Sequence, residues 1–142
     1  MEKSLKRSKA YLGITQGAIH MLLLLFILGI IANLYVELPE GLMGGAAWAW
    51  VFGNSAIIAI HAVLGMLLLV IALASLIFAI LARRTGWIVA SVLGLAFTLL
   101  AASSGADFVS NGGANLSSLL MAFGFLGALV SYVIAVFQPK KS

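Results

Sequence analysis

Four stretches of the chain carry no Asp, Glu, Lys or Arg: residues 10–36, 41–82, 85–106 and 108–139. Each exceeds the roughly 20 residues that a helix needs to cross the hydrocarbon core of a bilayer. Their Ala- and Leu-rich runs do not alternate as barrel strands do, and backbone in lipid must then satisfy its hydrogen bonds within helices. The pattern predicts four transmembrane helices, near 14–36, 56–80, 87–107 and 117–137, forming an all-α integral membrane four-helix up-down bundle. Residues 1–142 then form a single four-span domain. The run "KSLKRSK" has the charge of a signal-peptide leader, but the apolar stretch after it is too long and no A-x-A-like site follows. The first span reads as an anchor.

Composition agrees with the pattern. Hydrophobic residues make up 63% of the chain and charged residues 8%, shares that no water-soluble fold of this size accommodates. Charge placement adds direction. Lys3, Lys6, Arg7 and Lys9 precede the first span, Arg83 and Arg84 separate the second and third, and Lys140 and Lys141 follow the fourth. With four crossings all of these fall on one side, and Glu37, Glu40 and Asp107 on the other. The positive-inside rule therefore puts both termini in the cytoplasm and the chain in the cytoplasmic (inner) membrane. The net charge of +4 is this asymmetry, which favours anionic lipid headgroups and implies no nucleic-acid partner. There is no cysteine, which excludes disulfides, thiolate nucleophiles, iron–sulfur ligation and covalent haem attachment through C-x-x-C-H.

The connections differ in length. "LARRTGW" is short and predicts a tight hairpin of the second and third spans. "DFVSNGGANLSS" carries a turn at Asn111-Gly112-Gly113, with Asn115 or Ser117 placed to cap the fourth span. The longest, "ELPEGLMGGAAWAWVFGNS", sets Trp48, Trp50 and Phe52 where aromatic rings sit half wet, so residues 41–53 read as an interfacial segment, the alternative being a re-entrant or gating loop. Small residues recur every fourth position at Ala90, Gly94, Thr98, Ala102 and Ala106, at Gly127, Ser131 and Ala135, and at Gly13 and Gly17. Such faces allow close helix approach, within the bundle or between copies in a homo-oligomer.

The only histidines, His20 and His61, both fall inside spans, where an ionisable side chain is a functional candidate by default. By helix rise, His20 lies roughly 8 Å to the cytoplasmic side of the middle of its span and His61 roughly 10 Å to the outer side. The rings are then nearly 20 Å apart in depth on the same rise. A metal needs its ligand nitrogens about 2 Å away, so the two do not share one ion.

His20 near the cytoplasmic end of the first span, with "HAVLG" at 61–65 near the outer start of the second, resembles the small four-helix membrane b-type cytochromes related to cytochrome b561. That resemblance implies two haem b groups at opposite depths and electron transfer across the bilayer. Later helices of that family supply opposing histidines, and the third and fourth spans here have none. Other opposing ligands are Met121, roughly 9 Å outward of the middle of its span and so near the layer of His61, and Tyr132, with Ser131, in the layer of His20. Methionine and tyrosine both ligate haem iron, and Gly65, one turn after His61, leaves room for a flat macrocycle. Otherwise Met121 is core filler and Tyr132 an interfacial anchor.

The competing account makes each histidine part of a polar layer that fixes helix neighbours. Asn33, Ser103 and Ser104, with Asp107 a turn further, share the layer of His61. Thr15, Gln16 and Ser131 surround His20. Such contacts in lipid contribute about 0.6 kcal/mol on average. No carboxylate lies within a span except Asp107 at an edge, which disfavours coupled transport, and no catalytic constellation stands out beyond the Ser103/His61/Asp107 neighbourhood. The sequence therefore points to a small integral membrane protein that acts as a non-catalytic accessory or oligomer-forming subunit, in contact with lipid and with copies of itself or a membrane-complex partner. The alternative is a b-type haem-binding protein transferring electrons.

Overall fold

The structure, a computed structural model, describes residues 2–138, so Lys140 and Lys141, part of the expected charge asymmetry, lie outside the described residues. Five helices form in the order α1 (Glu2–Tyr35), α2 (Gly44–Asn54), α3 (Ala56–Ala82), α4 (Thr85–Ser110) and α5 (Asn115–Phe137), and the described residues contain no strand. Four of these, all but α2, are long and apolar enough to cross a membrane.

The spans expected from the sequence are present, with altered ends. α1 starts at Glu2 and not near residue 14, because nothing in the basic leader breaks a helix and Glu2 pairs with Lys6 one turn on at 2.7 Å. α4 runs on through Asp107 to Ser110. There the chain turns over Asn111, Gly112 and Gly113. Both glycines have positive φ, and Gly113 N–H returns to the Phe108 carbonyl at 2.8 Å, closing the orphaned carbonyls of the helix end. Neither Asn115 nor Ser117 caps α5: its N-cap is Ala114, and the Ser117 hydroxyl turns instead to Asp107.

The four long helices make a ring in which α1 packs on α3 and α5, and α4 packs on α3 and α5. Core positions of α1 recur at Tyr11, Thr15, Ala18, Leu22 and Leu25, alternating steps of four and three that keep one seam turned inward. α4 and α5 approach most closely. A Cβ on Gly124 would stand 2.6 Å from Ala101 N and 2.8 Å from Phe97 O, so the two backbones touch there.

Contacts along the ring fix which residues share a level. α1 meets α3 at Arg7–Leu81, Thr15–Ser75 and Gly29–His61. α4 meets α5 at Gly94–Tyr132, Ala101–Gly124 and Gly105–Met121. Ser75–Ser91 ties the two pairs together. Along each pair, numbers rise on one helix as they fall on the other. α2 lies across the far end, burying Ala47 and Val51 against Val109 and contacting both α3 and α4. Its Trp48 donates to the Ser110 hydroxyl of α4 at 3.1 Å.

Candidate functional site

The most extensive side-chain polar network in the described residues is a chain of hydroxyls near the basic end of the bundle. Thr15 Oγ1 on α1 lies 3.0 Å from Ser75 Oγ on α3, which lies 3.4 Å from Ser91 Oγ on α4, which lies 3.2 Å from the Tyr11 hydroxyl back on α1. The Tyr11 hydroxyl also donates to the Trp87 carbonyl at 3.4 Å. All four side chains are wholly buried. One direction of donation satisfies every proton: Thr15 to Ser75, Ser75 to Ser91, Ser91 to Tyr11, Tyr11 to the carbonyl. Tyr11 stacks on Trp87 with ring centroids 4.3 Å apart, and the Arg84 guanidinium lies 4.4 Å above the same indole. α1 and α4 are diagonal in the ring, and only long side chains bridge them. A hydroxyl chain of this kind joins three helices through directional contacts.

His20 stands apart from this core. Its side chain is exposed on the outer face of α1, where Nδ1 meets the Gln16 carbonyl of its own helix at 2.7 Å. Five residues past Thr15, it lies level with Val70, one residue from the midpoint of α3. The sequence placed it nearer the cytoplasmic end and within a polar layer with Gln16 and Ser131. The structure corrects both points. Gln16 faces outward beside it, and Ser131 is bonded to the Gly127 carbonyl on α5 at 2.7 Å. Gly13 and Gly17 share this outward face, and no atom lies within 4 Å of where their Cβ atoms would be.

Tyr132, the residue expected in the layer of His20, is neither an interfacial anchor nor a partner of that ring. It is wholly buried, its ring laid over Gly94 so closely that a Cβ there would stand 2.5 Å from Tyr132 Cζ. It belongs to one buried core cluster with Ala18, Leu22, Leu25, Leu68, Ala72 and Ala128.

His61 lies inside. Its ring rests on Gly29 of α1, where a Cβ would stand 3.3 Å from Cε1, and its buried Nδ1 has no hydrogen-bond partner among the described residues. Fourteen residues separate Ser75 from His61 and Ser91 from Gly105, so His61 and Gly105 share a level. Gly105 in turn faces Met121, whose sulfur would stand 3.4 Å from a Cβ there. His61, Met121, Gly29 and Gly105 thus form one layer, as the sequence estimate for Met121 anticipated. Gly65, also expected to leave room, has no atom within 4 Å of its Cβ position. The depth between the histidines shrinks, however. His61 is level with Gly29, nine residues from His20, or about 13 Å at 1.5 Å per residue, not nearly 20 Å.

The polar layer expected around His61 does not assemble. Ser103 is exposed and donates to the Leu100 carbonyl at 3.1 Å, Asn33 is exposed, and Ser104 is buried without bonding His61. Asp107 accepts from Ser117 and, at 2.6 Å, from Asn111, which ties the α4–α5 turn to the head of α5. The Ser103/His61/Asp107 neighbourhood is therefore not a hydrogen-bonded set. Among the described residues no three His, Asp or Glu side chains gather as a metal site.

Of the network that does form, only Thr15 was singled out in the sequence, and for another layer. Tyr11, Ser75 and Ser91 are scattered hydroxyls in apolar runs. Their one signal is that Tyr11 and Thr15 continue the inward seam of α1. No family model, curated protein or solved structure matches the chain.

Proposed function

We propose that the chain is a four-span up-down bundle of the cytoplasmic membrane, with both termini in the cytoplasm, and that it works as an oligomer-forming or accessory subunit without catalysis of its own. One observation carries this reading: His20 points away from the bundle near its mid-level, with Gln16 one turn toward the basic end on the same exposed face. In a bilayer that is the costliest depth for polar groups, which elsewhere face a bundle interior or a partner. Gly13 and Gly17 on the same face expose backbone with nothing packed on it, and bare glycine faces let a second helix come close. A second copy fits because it enters the bilayer in the same orientation and brings its own His20 and Gln16 to the same depth. A carboxamide both donates and accepts, so Gln16 can pair with its own copy.

The absence of native cysteine makes the test direct. A single cysteine replacing Leu24, beside His20 on the exposed face of α1, is expected to cross-link two copies in native membranes. One replacing Val70, on the outer face of α3, is expected not to. His20→Leu and Gln16→Leu are each expected to weaken association about three-fold, the equivalent of about 0.6 kcal/mol per interhelical contact. A protein that stays monomeric in membranes at every density, or cross-links equally through both positions, overturns the reading.

The layer of His61, Met121, Gly29 and Gly105 supports a second reading, a single haem b. Its residues are a half-buried imidazole whose buried Nδ1 is unpartnered among the described residues and a thioether at the same level, a ligand pair known for haem iron. When bound, such a group supplies one-electron redox chemistry. The other half of the cytochrome-like expectation does not fit, because His20 lies outside the bundle and Tyr132 is packed over Gly94. One level gives no second station for electron transfer across the bilayer.

A further inference from the structure

At the basic end a crevice of about 110 Å³ opens between α1 and the start of α4, lined by Leu5, Ser8, Lys9, Leu12, Arg84 and Trp87. Its chemistry has two halves. Lys9 and Arg84, from different helices, contribute cations, and neither makes an ion pair among the described residues. Two nearby basic groups are engaged elsewhere: Lys6 with Glu2, and Arg7 with the Leu81 carbonyl at the end of α3. Ser8 adds a hydroxyl. Leu12 leads along α1 toward its apolar stretch, Leu5 closes the opposite end of the crevice, and Trp87 forms the apolar floor.

The start of α4 completes the cation half. Its N-cap residue is Arg84, which gives no side-chain cap bond, and its first turn holds no acidic residue. The first N–H groups of a helix have no partner in that helix and carry the positive end of its dipole, so they favour an anion. Arg84 is held over Trp87 at 4.4 Å, which orients its guanidinium at the rim in advance of any ligand. The crevice is well below the roughly 300 Å³ at which pockets for drug-sized molecules begin. It takes a headgroup and leaves the rest of the molecule outside.

We propose that this crevice is a binding site for an anionic phospholipid. The phosphate lies between Lys9 and Arg84 at the head of α4, Ser8 donates to it, and the acyl chains descend over Leu12 toward the apolar stretch of α1. The lining mirrors the amphipathy of the ligand, which a free phosphate ion would not require. Two unpaired cations with no carboxylate opposite favour a net-negative headgroup over a zwitterionic one, in keeping with the attraction of juxtamembrane basic residues to anionic leaflets. The bound lipid would brace α1 against the α3–α4 turn at the place where Tyr11 and Trp87 already stack. The proposal rests on the chain residing in a bilayer and is independent of self-association.

The test uses the full chain in a neutral detergent, with thermal unfolding and native mass spectrometry as readouts. Phosphatidylglycerol is expected to raise the unfolding midpoint and to remain bound at one molecule per chain, whereas phosphatidylcholine of the same chain length and inorganic phosphate are expected to do neither. Lys9→Gln removes a side chain with no ion-pair partner to lose, and is expected to lower phosphatidylglycerol affinity about five-fold, the worth of one basic residue at an anionic surface. Arg84→Gln is expected to lower it further, since it also frees Trp87, while Lys6→Gln leaves it unchanged. The proposal is overturned if Lys9→Gln binds phosphatidylglycerol as the parent does, if phosphatidylcholine binds equally, or if inorganic phosphate alone reproduces the stabilisation. Failure of the cross-linking test above leaves these outcomes unaffected, so the two proposals fail separately.

Discussion

Thr15 on α1 and Ser75 on α3 hold their hydroxyl oxygens 3.0 Å apart, both side chains without exposure, sixty residues apart in the chain. Ser75 passes the contact on to Ser91 of α4, so a single serine joins three helices. Apolar side chains alone give little preference for one helix partner over another in lipid, where the surroundings are as apolar as the helices. Directional hydroxyl contacts supply that preference.

Thr15→Val takes one contact from Ser75 and is expected to destabilise the bundle by about 1 kcal/mol; Ser75→Ala takes contacts from both Thr15 and Ser91 and is expected to cost more. The double variant should cost less than the two together, with a coupling on the order of 0.6 kcal/mol. Unfolding by a denaturing detergent, run as a double-mutant cycle, measures this. Fully additive costs would remove Thr15–Ser75 as a joint between helices.

Two glycine substitutions should separate bundle packing from the outer face. Gly124→Ala drives a methyl into the Ala101 and Phe97 backbone and is expected to cost about 1–3 kcal/mol. Gly17→Ala meets no atom of its own chain and is expected to leave the fold as stable or, through helix propensity, slightly more stable. The same variant is expected to weaken cross-linking between copies. Equal loss of fold stability from both substitutions would mean that Gly17 is packed within the chain.

Asp107→Asn exchanges charge-assisted bonds from Ser117 and Asn111 for neutral ones of roughly half the strength. Faster hydrogen exchange is expected in the backbone of residues 111–117, with that of 121–132 unchanged. Uniform acceleration over both segments would show that the turn and the bundle open together.

Haem titration gives the fourth prediction. No more than one haem per chain is expected to bind, and His61→Ala and Met121→Leu are each expected to abolish any Soret band, while His20→Ala leaves it intact. Two haems per chain, or a band that depends on His20, would restore the two-level arrangement.

The four long apolar helices were legible because each charge-free stretch is long enough to cross a bilayer as one helix. The extra three turns of α1 were less so: "KSLKRSK" reads as a leader by charge, yet its residues are good helix formers and Glu2 pairs with Lys6. The layer of Met121 with His61 emerged from helix rise alone, since α3 and α5 start at the same end of the bundle and the two residues stand five and six residues past those starts. The placement of His20 did not. Rise gives depth along a helix, whereas the face it occupies depends on rotation, and a uniformly apolar helix has no polar side to reveal its rotation. Tyr132 failed for the same reason, as tyrosine suits both an interface and a core.

The chain's composition and charge spacing determined by themselves that four long helices form and, but for the start of α1, roughly where each begins and ends, because the cost of unbonded backbone in an apolar medium acts on every residue in turn. Only the tertiary structure decided which small residues touch, which hydroxyls join across helices, and that His20 looks outward while His61 looks in. Those outcomes depend on the rotation and neighbours of each helix, set by close contacts such as Gly124 on Ala101 and Gly94 under Tyr132, between residues the sequence keeps far apart.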